Sequence, residues 1–565
     1  MTGSNPSLPE RIQAARTLNG VSPEEPLTAY PSIGAVLREH ADQREDQTYL
    51  VAYTEDGLRR EYTYPEFFEQ VSRAAGVLKS HGVKRGDRIA ILSFNAAEVV
   101  IQYFAVWLIG AVVVPVNAGE DDRRLSYVLS NSGASLIFVR DDQLQRLLEI
   151  RKDIPALATV VQVGQRVSAD LPHYQSELAR QPERFVPDEE PGPEDDALVV
   201  YTSGTTGNPK GVVLTHYNLL ADGMAIAEWH QLADDQRMMC VLPLHHVNGI
   251  VVTLIAPLYA GAGVVLNQRF HPDRFFERIG AERVSIVSVV PTVLQFLLHS
   301  NLAMEAYKLQ YFRHFICGAG PLTVELATKF EQKFKMPIVH GYGLSETTCY
   351  ACFLPLDLVP AEHRAWMSKH GFPSIGVPLP VNQMAIHDAG GNELGEGERG
   401  EIVIRGHNVM RGYLGDDAAN EQAFTHGWFR SGDEGFWLPD EAGRQFFFIT
   451  GRIKEIIIRG GANISPFEVD EILMHIPGVK AGVAVGFQND WYGEEVGAYV
   501  VLEEGSALTE EDVLARCRRH LPFAKAPKAV VFGEELPLTS TGKLERGKYE
   551  PLFAAWKEQQ FSEKR

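Results

Sequence analysis

Between about residues 196 and 343 the chain alternates apolar runs of strand length with amphipathic segments of helix length. This alternation predicts a parallel or mixed β-sheet with α-helices packed on its faces. Residues 62–140 have the same character, with a helix predicted at 64–81 and a strand at Arg88–Ser93. In the longer region the apolar runs are 197–202, 238–242, 263–266, 284–290, 312–317 and 337–339, with helices predicted at 272–280 and 292–300.

The pattern of apolar residues and turn residues changes in two later regions. Short strands and turn-rich linkers between about residues 381 and 448 predict a β-rich subdomain. After residue 452 the pattern indicates a compact α+β domain, with helix starts at 465–468 and 509–512 and a strand at 528–532. The predicted fold class is therefore α/β: a large N-terminal domain of α/β-sheet subdomains plus a β-rich subdomain, followed by a small α+β domain. We expect the boundaries to be 1–451, a connection at 452–454, and 455–565.

Composition narrows the classes of function. The chain has 565 residues, of which 45% are apolar and 22% charged, so it can fill a large core. Its formal net charge of −20 has the wrong sign for holding nucleic acid or an anionic membrane by general electrostatics, so a polyanionic ligand needs a local site. Uncharged stretches between Glu98 and Glu120 and between Arg237 and Arg269 are broken by polar residues, Gly or Pro, which predicts buried helix-plus-strand segments and no membrane span.

The five cysteines are an odd and sparse set, which favours a reducing compartment over a disulfide framework. The N-terminal residues have no apolar signal core and the C-terminal residues match no retention or peroxisomal signal, so we expect a cytoplasmic protein. Cys349 and Cys352 are spaced like half a metal site, but no second pair stands at ligand spacing, and buried structural thiols are the better interpretation.

Polar and glycine-containing segments follow four of the predicted strands, at residues 202–210, 243–248, 318–321 and 341–346. In sheets of this kind, ligands bind beyond the carboxyl ends of the strands. The sequence therefore predicts one site at which these four segments converge.

The first of these segments has the composition of a loop that wraps phosphate groups. Residues 201–212 read Tyr-Thr-Ser-Gly-Thr-Thr-Gly-Asn-Pro-Lys-Gly-Val. Glycine lets backbone N–H groups approach phosphate oxygens, hydroxyls donate further hydrogen bonds, and Lys210 supplies a point charge. The loop is not a Walker P-loop, because Gly207 is followed by Asn-Pro and no helix is predicted to begin there.

Seven further motifs, together with this loop, resemble the adenylate-forming enzymes, which comprise acyl-CoA synthetases, luciferases and nonribosomal-peptide adenylation domains. Each motif alone is weak, but their order and spacing are highly specific, and the resemblance covers roughly residues 62–549. The motifs are Leu-Pro-Leu-His-His at 242–246, Gly-Ala-Gly-Pro at 318–321, Tyr-Gly-Leu-Ser-Glu at 342–346, Trp-x-x-Ser-Gly-Asp at 428–433, Gly-Arg-Ile-Lys-Glu at 451–455, Gly-Gly-Ala-Asn-Ile at 460–464 and Pro-Leu-Thr-Ser-Thr-Gly-Lys at 537–543.

The resemblance implies a role for individual residues. Glu346 would ligate Mg²⁺ that bridges the ATP phosphates, and Tyr342 would stack on adenine. Asp433 and Arg452 would bind the ribose hydroxyls, and Lys543 would bridge the substrate carboxylate and the α-phosphate. The other implied nucleotide-binding residues are Thr202, Ser203, Gly204, Thr205, Thr206, Gly207, Lys210, Gly318, Ala319, Gly320, Gly341, Gly343 and Ser345.

The resemblance also implies a second half-reaction. The small domain would be a mobile lid that rotates about a hinge at Lys454, withdraws Lys543 and brings in the loop 459–464, whose Gly460 and Gly461 leave room for the pantetheine of CoA. Lys543, His246 and Glu346 are the implied catalytic residues. The implied acyl pocket holds His246, Asn248 and Gly249, a small and partly polar start that favours a short, branched, hydroxylated or compact aromatic acid over a long chain.

We therefore expect an AMP-forming acyl-CoA synthetase whose ligands are ATP, Mg²⁺, coenzyme A and a carboxylic acid, with a homodimer left open. A carrier-loading adenylation enzyme is the alternative within the family, although no carrier motif follows Lys543. A luciferase-like oxygenase is a less favoured alternative than the carrier-loading enzyme. A non-catalytic nucleotide sensor should lack Lys543 or Glu346, and both are present. Two other patterns are weaker: His245-His246 has no third metal ligand, and Gly318-Ala-Gly320 and Gly261-Ala-Gly263 both lack the third glycine of a dinucleotide loop.

Overall fold

The structure, a computed structural model, describes residues 6–202, 208–300, 302–536 and 545–561. A first large sheet consists mainly of parallel strands, with an antiparallel pair at one edge. Its strands, in spatial order, are Gly412–Tyr413, Gly211–Thr215, Asp196–Tyr201, Val112–Asn117, Arg88–Ser93, Leu136–Arg140 and Thr159–Val163.

A second large sheet lies beside it and is parallel in its centre and antiparallel at both edges. The apolar side chains between the two sheets form one continuous core. Its strands, in spatial order, are Val377–Pro378, Cys352–Phe353, Ile338–Tyr342, His314–Cys317, Ile286–Val289, Arg237–Cys240, Gly263–Asn267, Thr48–Tyr53 and Arg59–Thr63.

Helices cover both sheets, and local sequence sets where several begin. Thr63 and Glu66 form a capping box at the start of the helix Tyr64–Ser80. The helices of the large region are Leu8–Ala15, Ile33–Gln43, Tyr64–Ser80, Ala97–Leu108, Asp122–Ser132, Leu144–Ile150, Tyr174–Leu178, His216–Trp229, Ala256–Ala260, Pro272–Ala281, Pro291–His299, Val324–Phe334, Pro360–Ser368 and Asp417–Ala423, with a π-helical stretch at Asn248–Ile255. The predicted alternation of strands and helices is confirmed.

The two uncharged stretches are buried helix-plus-strand segments, as predicted. The first holds the helix Ala97–Leu108 and the strand Val112–Asn117, both almost wholly inside the core. The second holds the π-helical stretch between two strands of the second sheet. None of the described helices is long and apolar enough to cross a bilayer.

The β-rich region is an antiparallel sheet, which confirms that prediction. Its strands are Asn382–His387, Gly400–Gly406, Phe429–Pro439 and Gln445–Arg452. The last part of the chain has its own sheet and its own apolar core. That sheet contains Ala462–Ile464, Ile457–Arg459, Gly493–Leu502, Val479–Asn489 and Ala529–Gly533, and the helices Pro466–Met474 and Glu510–His520 pack on it.

One of the two helices predicted in this last part begins without the capping box that its sequence suggested. The helix Pro466–Met474 begins where expected, but the Ser465 hydroxyl donates to the Thr450 carbonyl and caps nothing. Glu468 forms ion pairs with Arg399 and Lys525 instead of closing a capping box. Partners elsewhere in the chain therefore replace the local cap at this helix end. The second start, at Thr509 and Asp512, is a true capping box, as predicted.

Candidate active site

A cavity of about 70 Å³ opens where strands of the second sheet end. It is lined from residues 242–248, by Val290 and Ala319, and from residues 343–350. Three of the four segments predicted to converge therefore line one cavity. The fourth, 202–210, connects the strands Asp196–Tyr201 and Gly211–Thr215, and the Thr202 N–H donates to the Lys210 carbonyl over 3.0 Å.

At one side of this site, Tyr342 contacts Asp433, which pairs with Arg452. Asp433 and Arg452 face each other on adjacent strands of the antiparallel sheet, with Nε and Oδ1 3.2 Å apart. The Tyr342 hydroxyl, at the end of a strand of the second sheet, donates to Asp433 Oδ2 over 2.6 Å. Burial and the nearby carboxylate raise the pKa of Tyr342, and the charge of Asp433 raises the pKa of Arg452. Asp433 is 2% exposed, so its charge acts in a medium of low polarity.

Glu346 lies in the short helical turn Ser345–Thr347 and accepts a hydrogen bond from the Tyr413 hydroxyl over 2.8 Å. Lys210 lies over the face of the same tyrosine, with Nζ 4.7 Å from the ring centroid. Tyr413 therefore connects the predicted metal ligand with the predicted phosphate-binding lysine. Sequence reasoning missed Tyr413, and its only signal was an aromatic residue in a turn-rich segment.

Among the described residues, no group of three or more His, Cys, Asp or Glu side chains could hold a metal ion. A single carboxylate such as Glu346 fits Mg²⁺ that takes its other ligands from phosphate oxygens and water. Cys349 and Cys352 are buried free thiols, and burial raises the pKa of both, which agrees with a structural role. Cys349 also lines the cavity.

The glycines of the nucleotide motifs are required by the protein's own packing. A Cβ on Gly343 would lie 2.0 Å from the Cys349 carbonyl oxygen, and one on Gly341 would lie 2.3 Å from the Phe353 ring. A Cβ on Gly318 would lie 2.6 Å from the Tyr350 hydroxyl. Gly320 is less constrained, and Ala319 between them has a φ of +61° and lines the cavity. The segments can therefore lie close together only with glycine at these positions.

A strained turn follows Glu346. Thr348 has φ +64° and ψ −58°, and the Cys349 N–H donates to the Thr347 carbonyl over 2.7 Å, which is the geometry of a γ-turn. The Thr348 hydroxyl holds this turn by donating to the Asn408 carbonyl over 2.6 Å. Such backbone conformations cost about 1–3 kcal/mol and persist where surrounding contacts impose them. Thr348 and Asn408 thus help to position Glu346, and nothing in the sequence pointed to them.

At the predicted acyl end of the site, His246, Asn248 and Tyr350 line the cavity. The Ser288 hydroxyl donates to Asn248 Oδ1 over 2.8 Å, and Asn248 Nδ2 donates to the Tyr350 hydroxyl over 3.2 Å. His245 stands beside His246 with ring centroids 4.4 Å apart, and burial lowers its pKa to about 4.

Gly249 differs from expectation, since it does not belong to the cavity lining. A Cβ there would lie 2.4 Å from the Pro243 carbonyl oxygen. Its glycine is therefore explained by close backbone packing.

In the last part of the chain, Lys454 is exposed in the turn Ile453–Glu455 that connects the antiparallel sheet to the final sheet. Gly460 and Gly461, with φ of +55° and +85°, form the two-residue turn of the hairpin between Ile457–Arg459 and Ala462–Ile464. A Cβ on either glycine would meet nothing within 4 Å, so the hairpin tip projects from the domain. The predicted residues Ser203, Gly204, Thr205, Thr206, Gly207 and Lys543 lie outside the described residues.

Comparison with known proteins bears on this arrangement. Residues 37–414 match the family described as AMP-binding enzyme, and residues 468–543 match the AMP-binding enzyme C-terminal domain. The chain is 32% identical over 526 residues to a sulfoacetate–CoA ligase of Cupriavidus necator, covering 92% of this chain and 97% of that protein. It is 33% identical over 493 residues to an oxalate–CoA ligase of Arabidopsis thaliana, covering 86% and 92%.

Among solved structures, ATP-bound MatB from Rhodopseudomonas palustris superimposes with a TM-score of 0.82 at 27% identity, covering 92% of this chain and 99% of that one. The large α/β domain followed by a small α+β domain is thus a known architecture, as predicted. The family match covers more than half of the residues, and the relatives are about one third identical along nearly the whole length. Both findings agree with the resemblance in the motifs. The chain belongs to the AMP-binding enzyme family.

Proposed function

We propose that this protein is an AMP-forming acyl-CoA synthetase. It converts a carboxylic acid and ATP to an acyl-adenylate and pyrophosphate, and then transfers the acyl group to CoA with release of AMP. One observation carries the proposal: residues 341–346 serve both halves of the site. Tyr342 contacts the charged pair Asp433–Arg452, whereas Gly343 and Ser345 line the acyl cavity.

The first step needs alignment and charge neutralisation more than proton transfer. A carboxylate is already ionised near neutral pH, so its oxygen attacks the α-phosphorus without a general base, and pyrophosphate leaves. In this proposal Asp433 and Arg452 hold the ribose, Tyr342 the base, and the loop 202–210 the phosphates. Mg²⁺ held by Glu346 would supply positive charge to the phosphates. Lys543 would contact both the carboxylate and the α-phosphate.

In the second step the CoA thiol attacks the acyl carbonyl carbon, the C–O bond to the phosphate breaks, and AMP leaves. We assign this step to the hairpin that ends in Gly460 and Gly461, after rotation of residues 455–565 relative to 1–451 about the connection 452–454, with Lys454 as the hinge. The hairpin is firmly anchored at its base: Arg459 Nε lies 2.7 Å from Glu495 Oε1, and its guanidinium lies 4.1 Å from the Tyr492 ring centroid.

The names of the relatives favour CoA over a carrier protein as the acceptor. They include enzymes named for joining CoA to an acid, and the acids are sulfoacetate, oxalate, ferulate and 2-succinylbenzoate. Glu346 and Lys543 in their motifs argue against a nucleotide sensor. Residence in the cytoplasm and a homodimer stay predictions.

The test is pyrophosphate release from the full-length protein with ATP, Mg²⁺ and a panel of carboxylic acids, with and without CoA. We expect acid-dependent pyrophosphate release, and multiple turnovers with equal amounts of AMP and acyl-CoA only when CoA is present. Adenylate formation with no thioester at any CoA concentration would favour the carrier-loading alternative. ATP binding without pyrophosphate release from any acid would overturn the proposal.

A further inference from the structure

The size of the acyl cavity limits the acids that fit. The cavity measures about 70 Å³. Small-molecule pockets usually measure about 300–1,000 Å³, so this cavity is small. Part of its lining, at Ala319 and residues 343–345, belongs to the predicted nucleotide motifs, so the acyl group would share these walls with the nucleotide.

The charge of the lining limits the acids further. Among the described residues, neither lysine nor arginine lines the cavity. Lys543 is already assigned to the reacting carboxylate. His246 supplies the imidazole of the lining, and it is already assigned to the reaction as an implied catalytic residue. A second carboxylate or a sulfonate on the substrate would therefore be buried without a partner.

A buried acidic side chain lies behind the wall of the cavity. Asp222 is fully buried and its carboxylate oxygens accept from the Tyr350 N–H over 3.2 Å and from Asn408 Nδ2 over 3.4 Å. Burial raises the pKa of Asp222 well above its ordinary value, so a cation is not needed beside it. This residue supports the backbone of Tyr350 and offers nothing to an anionic acyl group.

The polar groups at the floor of the cavity are arranged to recognise an uncharged oxygen. Ser288, Asn248 and Tyr350 bond to one another, and Asn248 connects the other two. An amide nitrogen has two N–H donors, and its bond to Tyr350 accounts for one of those on Asn248. The second N–H donor of Asn248 is left for a ligand, because the Asn248 side chain lines the cavity.

We infer that the site selects compact acids whose only charge is the reacting carboxylate, and that Asn248 donates a hydrogen bond to a hydroxyl or carbonyl oxygen on the acyl group. This inference rests on the proposed function. It separates the chain from the relatives named for sulfoacetate and oxalate, both of which act on dianionic acids.

The experiment compares four acids at pH 8 by their kcat/KM for pyrophosphate release: butanoate, 3-hydroxybutanoate, succinate and octanoate. We expect 3-hydroxybutanoate to exceed butanoate by about threefold to tenfold, as one hydrogen bond allows. Succinate should fall below butanoate by about a hundredfold, and octanoate by at least about tenfold. Comparable rates for succinate and butanoate would overturn the charge argument.

Two variants test the role of Asn248. Asn248→Ala should remove the preference for the hydroxy acid and shift relative kcat/KM toward octanoate by roughly tenfold, with an unchanged KM for ATP. Tyr350→Phe keeps the ring and tests the same network should the first variant fold poorly. Asn218→Ala, at a buried asparagine that bonds to the His407 and Val409 carbonyls away from the cavity, is the matched control and should leave the acid profile unchanged.

The outcomes separate the two proposals. An unaltered acid profile in both Asn248→Ala and Tyr350→Phe would overturn the assignment of Asn248. Pyrophosphate release that favours succinate over butanoate would overturn the inference and leave the proposed function standing. Only the absence of release with every acid would remove the proposed function itself.

Discussion

The proposed nucleotide end of the site holds its side chains by ion pairs and charge-assisted hydrogen bonds, whereas the proposed acyl end holds them by bonds between uncharged groups. Asp433 contacts Arg452 and Tyr342 at the first end. At the second, Asn248 contacts Ser288 and Tyr350. Asp433 and Tyr342 are buried, and so are all three residues of the second set, whereas the Arg452 side chain is half exposed.

This difference follows the charges of the proposed reaction. Adenylation changes charge at the phosphates and at the attacking carboxylate, so fixed charges aimed there stabilise the transition state. The acyl group changes no charge, and a buried ion beside it would need a partner in every substrate. The following predictions, from the largest expected effect to the smallest, test whether the two ends are independent.

Replacing Lys543 should have the largest effect on the rate, because this lysine is proposed to contact both the acid's carboxylate and the α-phosphate. Lys543→Ala should lower the rate of adenylate formation by about a thousandfold, because a cation at the developing charge is lost. Thioester formation from supplied acyl-adenylate should remain nearly normal. Single-turnover assays of each half-reaction measure this. A similar loss in both half-reactions would contradict the assignment of Lys543.

Acid should lower the free energy of unfolding through His340, a buried histidine next to the proposed nucleotide end. Burial lowers the pKa of His340, two residues before Tyr342, to about 4, and its ring contacts the Ser374 carbonyl at 2.8 Å. The unfolded chain therefore binds more protons between pH 6.5 and 4, and the free energy of unfolding falls as the pH drops through that range. The loss for this residue is about 3 kcal/mol at most.

Urea unfolding of the wild type and of His340→Gln across pH 4–7 measures that contribution. Glutamine can still donate to Ser374 but does not titrate, so its unfolding free energy should fall less steeply with acid. Parallel curves for the two proteins would show that His340 does not carry the effect.

Asp433→Asn should affect the nucleotide and leave the acid profile alone. The change keeps the shape but removes the charge that Arg452 pairs with, and a hydrogen bond to a charged group is worth about 1.5–3 kcal/mol. We expect kcat/KM for ATP to fall by about tenfold to a hundredfold. The ratio of kcat/KM for two different acids is the internal control. A shift in that ratio would mean that the two ends are coupled.

The sheets, the β-rich region and the small domain could be predicted because each depends on a local pattern of apolar residues. Asp433 and Arg452 could be named for a different reason, since each belongs to a motif that resembles those of the adenylate-forming enzymes. Tyr413 was not accessible, because its two-residue strand is too short to show a period and pairs with a strand distant in sequence. The Asn248 contacts were missed because they join three separate segments. The packing of Gly249 against the Pro243 carbonyl was also missed, because a glycine does not reveal which backbone it must approach.

A change in the hairpin of the small domain should leave both ends of the adenylation site intact. Gly461 has a φ of +85°, which a leucine adopts only with strain, and a branched side chain there would narrow the proposed path of the thiol. Gly461→Leu should lower CoA-dependent turnover by tenfold or more and leave pyrophosphate release in a single turnover unchanged. Val485→Ala, in a separate core cluster of the same domain, controls for general destabilisation. Normal CoA turnover in Gly461→Leu would remove the hairpin from the mechanism.

The smallest change tests how Glu346 is held. Tyr413→Phe removes the hydroxyl that donates to Glu346 and keeps the ring beneath Lys210. Because Glu346 is only half-buried, water can replace the lost donor, and the effect should stay near the lower range for such bonds, about threefold to tenfold in KM for ATP at fixed Mg²⁺. Tyr413→Leu also removes the ring and should raise that KM further, since Lys210 then loses its contact as well. Equal KM values for the two variants would assign the whole contribution to the hydroxyl, whereas wild-type KM in both would mean that the strained turn at Thr348 positions Glu346 without help from Tyr413.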